Sequence, residues 1–399
     1  MVLILMTENF YTAFTPSARV LDALAYYFQE ERMGDTTARR RAQNYLRDFM
    51  VETGDGSYTL PSQDPSENMH STHGAATEAR MKYAIPSGLG SKSQVRVLDL
   101  CTGLGYNAAA LLEQQRGRVE LDLVEYSQEA LAAALLVPEP MPSHRLVKQA
   151  IEDHLFRIGY LGYQVLPPLP SEVVIHVHTG DARQVVGELK PSYQAVYLDP
   201  FSPSKSPELY TAQFLKMIAG LLSPTGRILT YSSAAPVRMA LVRAGLEVGE
   251  GPQVGRRGGT IASPTLHKLP PLTRDDERMV ALSDAGVPYQ DPDLRDAPPA
   301  ILERQRKERK KARNNTRLAS TVRTPVYLNQ DVSDPRLKRR LERQIRGMGL
   351  EGLNSPEACY LVCPQYEECI CFCGQGRYPG SRARIMEMQR RLGNLKRRE

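Results

Sequence analysis

A chain of 399 residues with 41% hydrophobic and 24% charged residues has the balance of a soluble globular protein, long enough for one large domain with extensions or for two domains. The opening MVLILMTENF holds only a six-residue apolar run without a basic flank, and no later run reaches spanning length; this excludes a signal-peptide core or a membrane span and makes a cytoplasmic protein the default expectation. The net charge of +6 divides unevenly: residues 301–399 hold 23 Lys and Arg against 11 Asp and Glu, and residues 1–300 hold 28 against 34, so a basic C-terminal stretch points either to a polyanionic partner or to a solvated tail.

In chain order, SARVLDALAYYFQEERM places Val20, Leu21, Leu24, Tyr27 and Phe28 on one helical face with Ser17 as N-cap, so residues 1–50 read as a helical segment. Gly54–Ser57 read as a turn between short extended pieces, and Ala75–Tyr83 as a helix. From Val95 the pattern alternates. VRVLDL, VELDLVE, VVIHVHTGD, AVYLDP and GRILTYS read as strands. YNAAALLEQQ, SQEALAAALLV, ARQVVGEL, PELYTAQFLKMIAGLL and PVRMALVRAG read as the helices that follow them. Alternating βα units predict an α/β, Rossmann-like domain with a mostly parallel sheet covered on both faces. The interval Pro138–Pro170 breaks the rhythm and reads as a substrate-facing insertion; LEVGEG and GGTIAS read as a closing hairpin. Residues 265–300 read as a proline-rich connection. Residues 301–399 read as a basic extension with two charged helical stretches, AILERQRKERKKARNN and SDPRLKRRLERQIRGM.

The first βα turn, VLDLCTGLGYN, carries Asp99, Cys101, Gly103, Gly105 and Asn107. Glycines here let the backbone approach a ligand at a helix N-terminus. A dinucleotide fingerprint needs glycine at the first, third and sixth places, and counting from Cys101 the first is cysteine and the sixth Tyr106, so the NAD pattern is broken. An acid before the glycines suits S-adenosylmethionine (SAM) better, with Asp99 facing its amino-acid end. Glu125 closes the second strand, where an acid can bind both ribose hydroxyls. The third strand ends in GDAR, where Asp181 can accept from an adenine amino group beside Ala182. Three acids at three successive strand ends predict a nucleoside cofactor, with SAM ahead of NAD. Cys101 reads as a small residue in a tight turn. His70 and His73 lie in a polar loop and read as capping or substrate contacts, because the chemistry needs no metal.

TGDGSYTL, MHSTHGAATEARMKY, VLDLCTGLGYNAAAL, GDAR, YLDPFSPSKSPELYT and RRGGTIAS together resemble the methyltransferase domain of MnmC, the tRNA (5-methylaminomethyl-2-thiouridine) biosynthesis enzyme, and its stand-alone relatives. The likeness runs from about Thr53 to Ser263, with VPYQDPDL as a candidate further segment, and the methyltransferase domain is placed at 51–264. It implies a class I SAM-dependent methyltransferase fold and methylation of a primary amine, the 5-aminomethyl group of a wobble uridine in tRNA. It also implies that Asp199 lies in the active site and Glu78 near the cofactor. Only the methyl-transfer half is expected, so a separate oxidase or other tRNA-modification enzyme would supply the aminomethyl substrate.

Methyl transfer needs a nitrogen lone pair, and an alkylamine with a pKa of about 10.4 is mostly ammonium at neutral pH. Asp199, on a strand exit stiffened by Pro200, Pro203 and Pro207, suits orientation and proton acceptance, although an ordinary aspartate at about 3.9 is a weak base. Phe201 either packs against the uracil ring or fills the core; Lys205 and Tyr210 either touch substrate or line the rim. Two rival readings share these residues. One is a polyamine-type aminopropyltransferase, against which Asp99 argues. The other is a non-catalytic RNA-binding protein, against which the intact set Asp99, Glu125, Asp181 and Asp199 argues. The five cysteines Cys359, Cys363, Cys369, Cys371 and Cys373, spaced C-x3-C-x5-C-x-C-x-C, read either as ligands of zinc or an iron–sulfur cluster or as reduced thiols.

Overall fold

Apolar runs such as Val95, Val97, Leu98 and Leu100 bury on both faces of a strand, which is the pattern of a parallel sheet covered on two sides. The computed structural model describes residues 18–61, 73–254 and 258–395; Ser17, His70 and the two arginines of RRGGTIAS lie outside them. The chain divides into two units. The first comprises residues 1–206, 220–231 and 251–259, the second residues 207–219, 232–250 and 260–399.

Strands of the first unit are β1 (Val51–Glu52), β2 (Tyr58–Thr59), β3 (Gln94–Leu100), β4 (Arg118–Glu125), β5 (Val173–Thr179), β6 (Tyr193–Leu198) and β7 (Leu222–Thr230). β1 and β2 form an antiparallel hairpin. β3 to β7 are parallel in the spatial order β5-β4-β3-β6-β7. The chain moves outward from β3 through β4 to β5, then returns to the other side of β3 with β6. The carboxyl ends of β3 and β6 therefore flank a topological switch point, where open α/β sheets bind ligands.

Two N-terminal helices, Ala18–Arg32 and Ala38–Arg47, bury Val20, Leu24, Phe28, Ala42 and Leu46. Both fall within the stretch over residues 1–50 that reads as helical in the sequence. Arg39 ties them to helix His144–Arg157: its guanidinium donates to Glu31, to Glu152 and to the Tyr163 carbonyl. Both carboxylates are almost wholly buried, so removing Arg39 would strand two charges, a change that costs several kcal/mol. The insertion at 138–170 is thus largely structural, since Val147, Ile151 and Leu155 of its helix are core residues.

The second unit holds the antiparallel pair β8 (Glu247–Glu250) and β9 (Thr260–Ser263), and helices Ala212–Gly220, Ala235–Arg243, Arg274–Leu282, Pro298–Asn315, Pro335–Arg346, Pro356–Val362 and Ser381–Leu395. Residues 265–300 are more than a connection. Helix Arg274–Leu282 lies within them, Thr273 caps it, and Val280, Ala281 and Leu282 are buried. Arg278 is 1% exposed because Gln365, the carbonyls of Val326 and Leu328, and the Tyr366 hydroxyl accept from its guanidinium. Beside it Glu277 pairs with Arg384 at 2.6 Å. Residues 301–395 accordingly fold with their own buried side chains. Among the described residues no helix is long and apolar enough to cross a membrane.

Candidate active site

Beyond β3 the chain turns through three left-handed residues, Cys101 (φ 65°), Gly103 (φ 53°) and Gly105 (φ 83°), before helix Tyr106–Gln114. Gly105 is required twice over: its φ disfavours side chains, and a Cβ there would lie 2.7 Å from Val147 Cγ1. His144 donates from Nε2 to the Leu104 carbonyl at 2.7 Å. Burial, then the charge of Lys148, lowers the His144 pKa to about 4, so this ring holds the loop as a neutral donor.

Glu125, at the end of β4, accepts from Gly103 N–H at 2.9 Å and from the N–H groups of Tyr126 and Ser127. It therefore fixes the glycine turn as well as facing the strand ends. Asp99 differs. It is wholly buried, and neither carboxylate oxygen meets a donor at bonding geometry. Burial, then the charge of Asp199, pushes its pKa up to about 8. Asn107 and Thr102 draw that value down without bonding either oxygen at good geometry, and a buried acid so placed beside the Gly105 turn suits a ligand that brings its own donor.

Asp199 follows β6 on the other side of the switch point and is held at both oxygens. Tyr83 donates to Oδ1 at 2.5 Å and Asn107 Nδ2 to Oδ2 at 2.8 Å. Burial raises its pKa, Tyr83 and Asn107 draw it back, and the balance lies at about 6. Tyr83 and the Glu78–Lys82 ion pair (2.7 Å) share one helical stretch, α over Ala75–Glu78, π over Ala79–Ala84 and α over Ile85–Ser87. Wide π turns recur at functional sites. The β1–β2 hairpin fixes the start of this stretch. Asp55 accepts from Thr77 N–H at 2.7 Å, and Ser57 Oγ accepts from Ala75 and Ala76 N–H. Although burial opposes it, the hydrogen bonds of Ser57 and Thr77 hold the Asp55 carboxyl well below the usual carboxylate range. Gly74 passes so close that a Cβ there would meet Asp55 Oδ2 at 2.5 Å.

The structure thus gathers Glu78, Asp99, Gly103, Gly105, Asn107, Glu125 and Asp199 around the ends of β3, β4 and β6. Asp181 caps helix Ala182–Glu188 and pairs with the buried Arg183 at 2.8 Å; Ala182 is buried next to it. Phe201 and Lys205 are half-buried in the loop after Asp199, His73 is exposed, and Tyr210 is a wholly buried ring of the second unit. Tyr83, Lys82, Asp55 and His144 were not singled out as site residues. The first three lie inside segments that carry the family resemblance, which is the signal that could have found them. Of the five clustered cysteines, four come together; Cys359 stands apart, its thiol 3.4 Å from Asn329 Oδ1.

A family described as S-adenosyl-L-methionine-dependent methyltransferase matches residues 142–264. The chain is 34% identical over 311 residues to the uncharacterized protein MJ0670 of Methanocaldococcus jannaschii, covering 77% of this chain and 83% of that protein. It is 28% identical over 228 residues to the tRNA 5-methylaminomethyl-2-thiouridine biosynthesis bifunctional protein MnmC of Ralstonia nicotianae, covering 50% of this chain but 32% of that one. The chain therefore spans about a third of such bifunctional relatives. The crystal structure of MNMC2 from Aquifex aeolicus superposes with a TM-score of 0.54 at 28% identity, covering 73% of this chain and 98% of that one. Residues 1–264 cannot supply 73% or 77% of the chain, so the likeness to MNMC2 and to MJ0670 runs into the second half of the molecule.

Proposed function

The chain belongs to the S-adenosyl-L-methionine-dependent methyltransferases, and on that footing we propose that it N-methylates a primary amine, the 5-aminomethyl group of a wobble uridine in tRNA. The observation that carries the reading is Asp199, set beside the glycine turn and gripped at both oxygens by Tyr83 and Asn107. The tRNA substrate is suggested by the names of the bifunctional relatives and by the DPFSP and MHSTHGAATEARMKY segments.

The residues present fit SAM. Asp99 offers two unpartnered carboxylate oxygens to the ammonium of its amino-acid end, and Gly103 and Gly105 keep side chains out of the turn. Glu125 would receive the ribose hydroxyls, and Asp181 and Ala182 the adenine edge. Bound there, SAM supplies an electrophilic methyl group on a sulfonium. Asp199 would accept a proton from the substrate ammonium, leaving the nitrogen a lone pair with which to take that methyl group. At a pKa of about 6, Asp199 is a far better acceptor than an ordinary aspartate, yet it is ionised at neutral pH. The two donors fix its direction before the amine arrives. The Glu78–Lys82 pair acts on this carboxylate in both senses: the charge of Glu78 pushes its pKa up and that of Lys82 draws it down. The aminomethyl substrate would come from a separate tRNA-modification enzyme.

Asp199→Asn tests the reading. It keeps the shape and removes the charge, so SAM should bind normally while single-turnover methyl transfer to aminomethyl-bearing tRNA falls by about 10²–10⁴. The deficit should narrow at high pH, where more amine is already neutral. Nucleoside mass analysis that finds full methylation at near-normal rates would overturn the mechanism.

A further inference from the structure

We propose that Cys363, Cys369, Cys371 and Cys373 bind a single zinc ion as a tetrathiolate, which orders the irregular segment 366–380 of the second unit. This does not depend on the methyl-transfer reading. The four Sγ atoms all lie within 4.8 Å of one another. The pairs 363–369, 369–371 and 369–373 are 3.9, 4.0 and 3.6 Å apart. A tetrahedron with Zn–S bonds of about 2.3 Å has S–S edges of about 3.8 Å. The sulfurs are much too far apart for disulfides, and all four cysteines are free. An iron–sulfur cube attaches each sulfur to a different iron and spreads them more widely, so one ion at the centre fits better.

Three further features converge on this point. Arg391, 1% exposed, aims one terminal nitrogen at Cys371 Sγ (3.8 Å) and the other at Cys373 Sγ (3.7 Å). It is locked in that pose by Glu387 at 2.8 Å and by the Tyr360 ring, 4.5 Å below it. Four thiolates around a divalent ion leave a surplus of two negative charges, and a buried guanidinium against two sulfurs is the partner such a surplus calls for. The backbone is bent to suit. Phe372 is left-handed (φ 63°) with its ring wholly in solvent, and Gly374 is left-handed too (φ 75°), which turns Cys371 and Cys373 back toward Cys369. Finally, residues 366–380 form no helix or strand, and Phe372, the largest apolar side chain among them, buries nothing. Apolar packing does not account for the order of such a segment, whereas a metal staple does.

Full-length protein purified under reducing conditions should carry one zinc per chain by elemental analysis. Cys369→Ser and Cys371→Ser should each reduce that to below about 0.2, whereas Cys359→Ser should retain it. Cobalt(II) added to the metal-free wild type should give the strong visible bands of a tetrahedral thiolate site, bleached by one equivalent of zinc. Because a serine variant can fail by misfolding, the wild type supplies an independent measure. Chelation should expose Arg377 to trypsin at least tenfold faster, and zinc should restore protection. Reduced wild-type protein without stoichiometric zinc, iron with sulfide in its place, zinc that survives Cys371→Ser, or trypsin cleavage indifferent to chelation would each overturn the proposal.

Discussion

Tyr83→Phe isolates the hydroxyl that grips Asp199. The ring is 2% exposed and packs against Tyr197 with centroids 5.5 Å apart, so its loss of one oxygen leaves the packing intact. The oxygen donates to a charged acceptor, a bond worth about 1.5–3 kcal/mol. At 1.36 kcal/mol per pKa unit, that is about one to two units. The bond favours the ionised form, so its removal raises the pKa of Asp199 from about 6 to roughly 7–8. If Asp199 must be ionised to take the proton, the acid limb of the single-turnover profile moves up by the same interval. The rate at pH 6 falls by roughly 5–50-fold, and the rate at pH 9 nearly recovers. Folding stability follows the same sign. The folded-state pKa lies above the unfolded value near 3.8, so ionised Asp199 is a cost that is absent below about pH 4 and complete above pH 6. Tyr83→Phe should therefore be nearly neutral in urea unfolding at pH 4 and destabilising at pH 8. An acid limb in its wild-type place, or a loss of rate equal at every pH, would refute the argument.

Glu125→Ala removes the acceptor of Gly103 N–H and, on the proposed reading, a ribose partner, so calorimetry should show SAM binding weakened by about 1.5–3 kcal/mol; unchanged affinity would remove Glu125 from the site. On helix Pro335–Arg346 the exposed Arg336, Lys338, Arg339, Arg340 and Arg343 form no ion pairs among the described residues, while Leu341 and Ile345 are buried. On helix Pro298–Asn315, Arg304 is committed to Asp296, and Arg309 and Arg313 to the buried Asp284. Replacing Arg339, Arg340 and Arg343 by Gln should therefore lower the log–log salt slope of tRNA binding by about 2–3, near 0.7–0.9 for each lost phosphate contact. An unchanged slope would make this helix a merely solvated face.

The strands and the glycine turn were legible because both are local. A parallel strand announces itself by a continuous apolar run, and Gly105 sits where a side chain does not fit. The acids at the strand ends follow from the same pattern. Tyr83 was not legible as a partner of Asp199, since the two are 116 residues apart and the π turn over Ala79–Ala84 breaks the 3.6-residue spacing by which a helical face is read. Residues 265–395 misled for another reason. Proline and charge usually mark linkers and tails, but a guanidinium buries readily when long-range acceptors meet its donors, as Val326, Leu328, Gln365 and Tyr366 do for Arg278.

The division of labour between the two buried aspartates has the same long-range origin. In the sequence Asp99 and Asp199 look alike, each near the carboxyl end of a central strand and with the same reference acidity, although Asp99 lies inside β3 and Asp199 just beyond β6. Burial raises both. Asp199 then receives one donor from the π turn and another from the helix after the glycine turn, which draw it back to about 6 and fix its direction. Asp99 lies near Asn107 and Thr102, which draw its pKa down, but neither bonds its oxygens at good geometry, and burial with the charge of Asp199 keeps it near 8. An oriented acid poised just below neutrality can take a proton in turnover. An acid kept protonated by burial and by the charge of Asp199 is instead completed by a cationic ligand, which would return it to the ionised form. SAM binding should accordingly release a proton near pH 7 in wild type, a release measurable as a buffer-dependent binding enthalpy. Asp99→Asn should abolish that dependence, and a buffer-independent enthalpy in the wild type would remove Asp99 from the cofactor site.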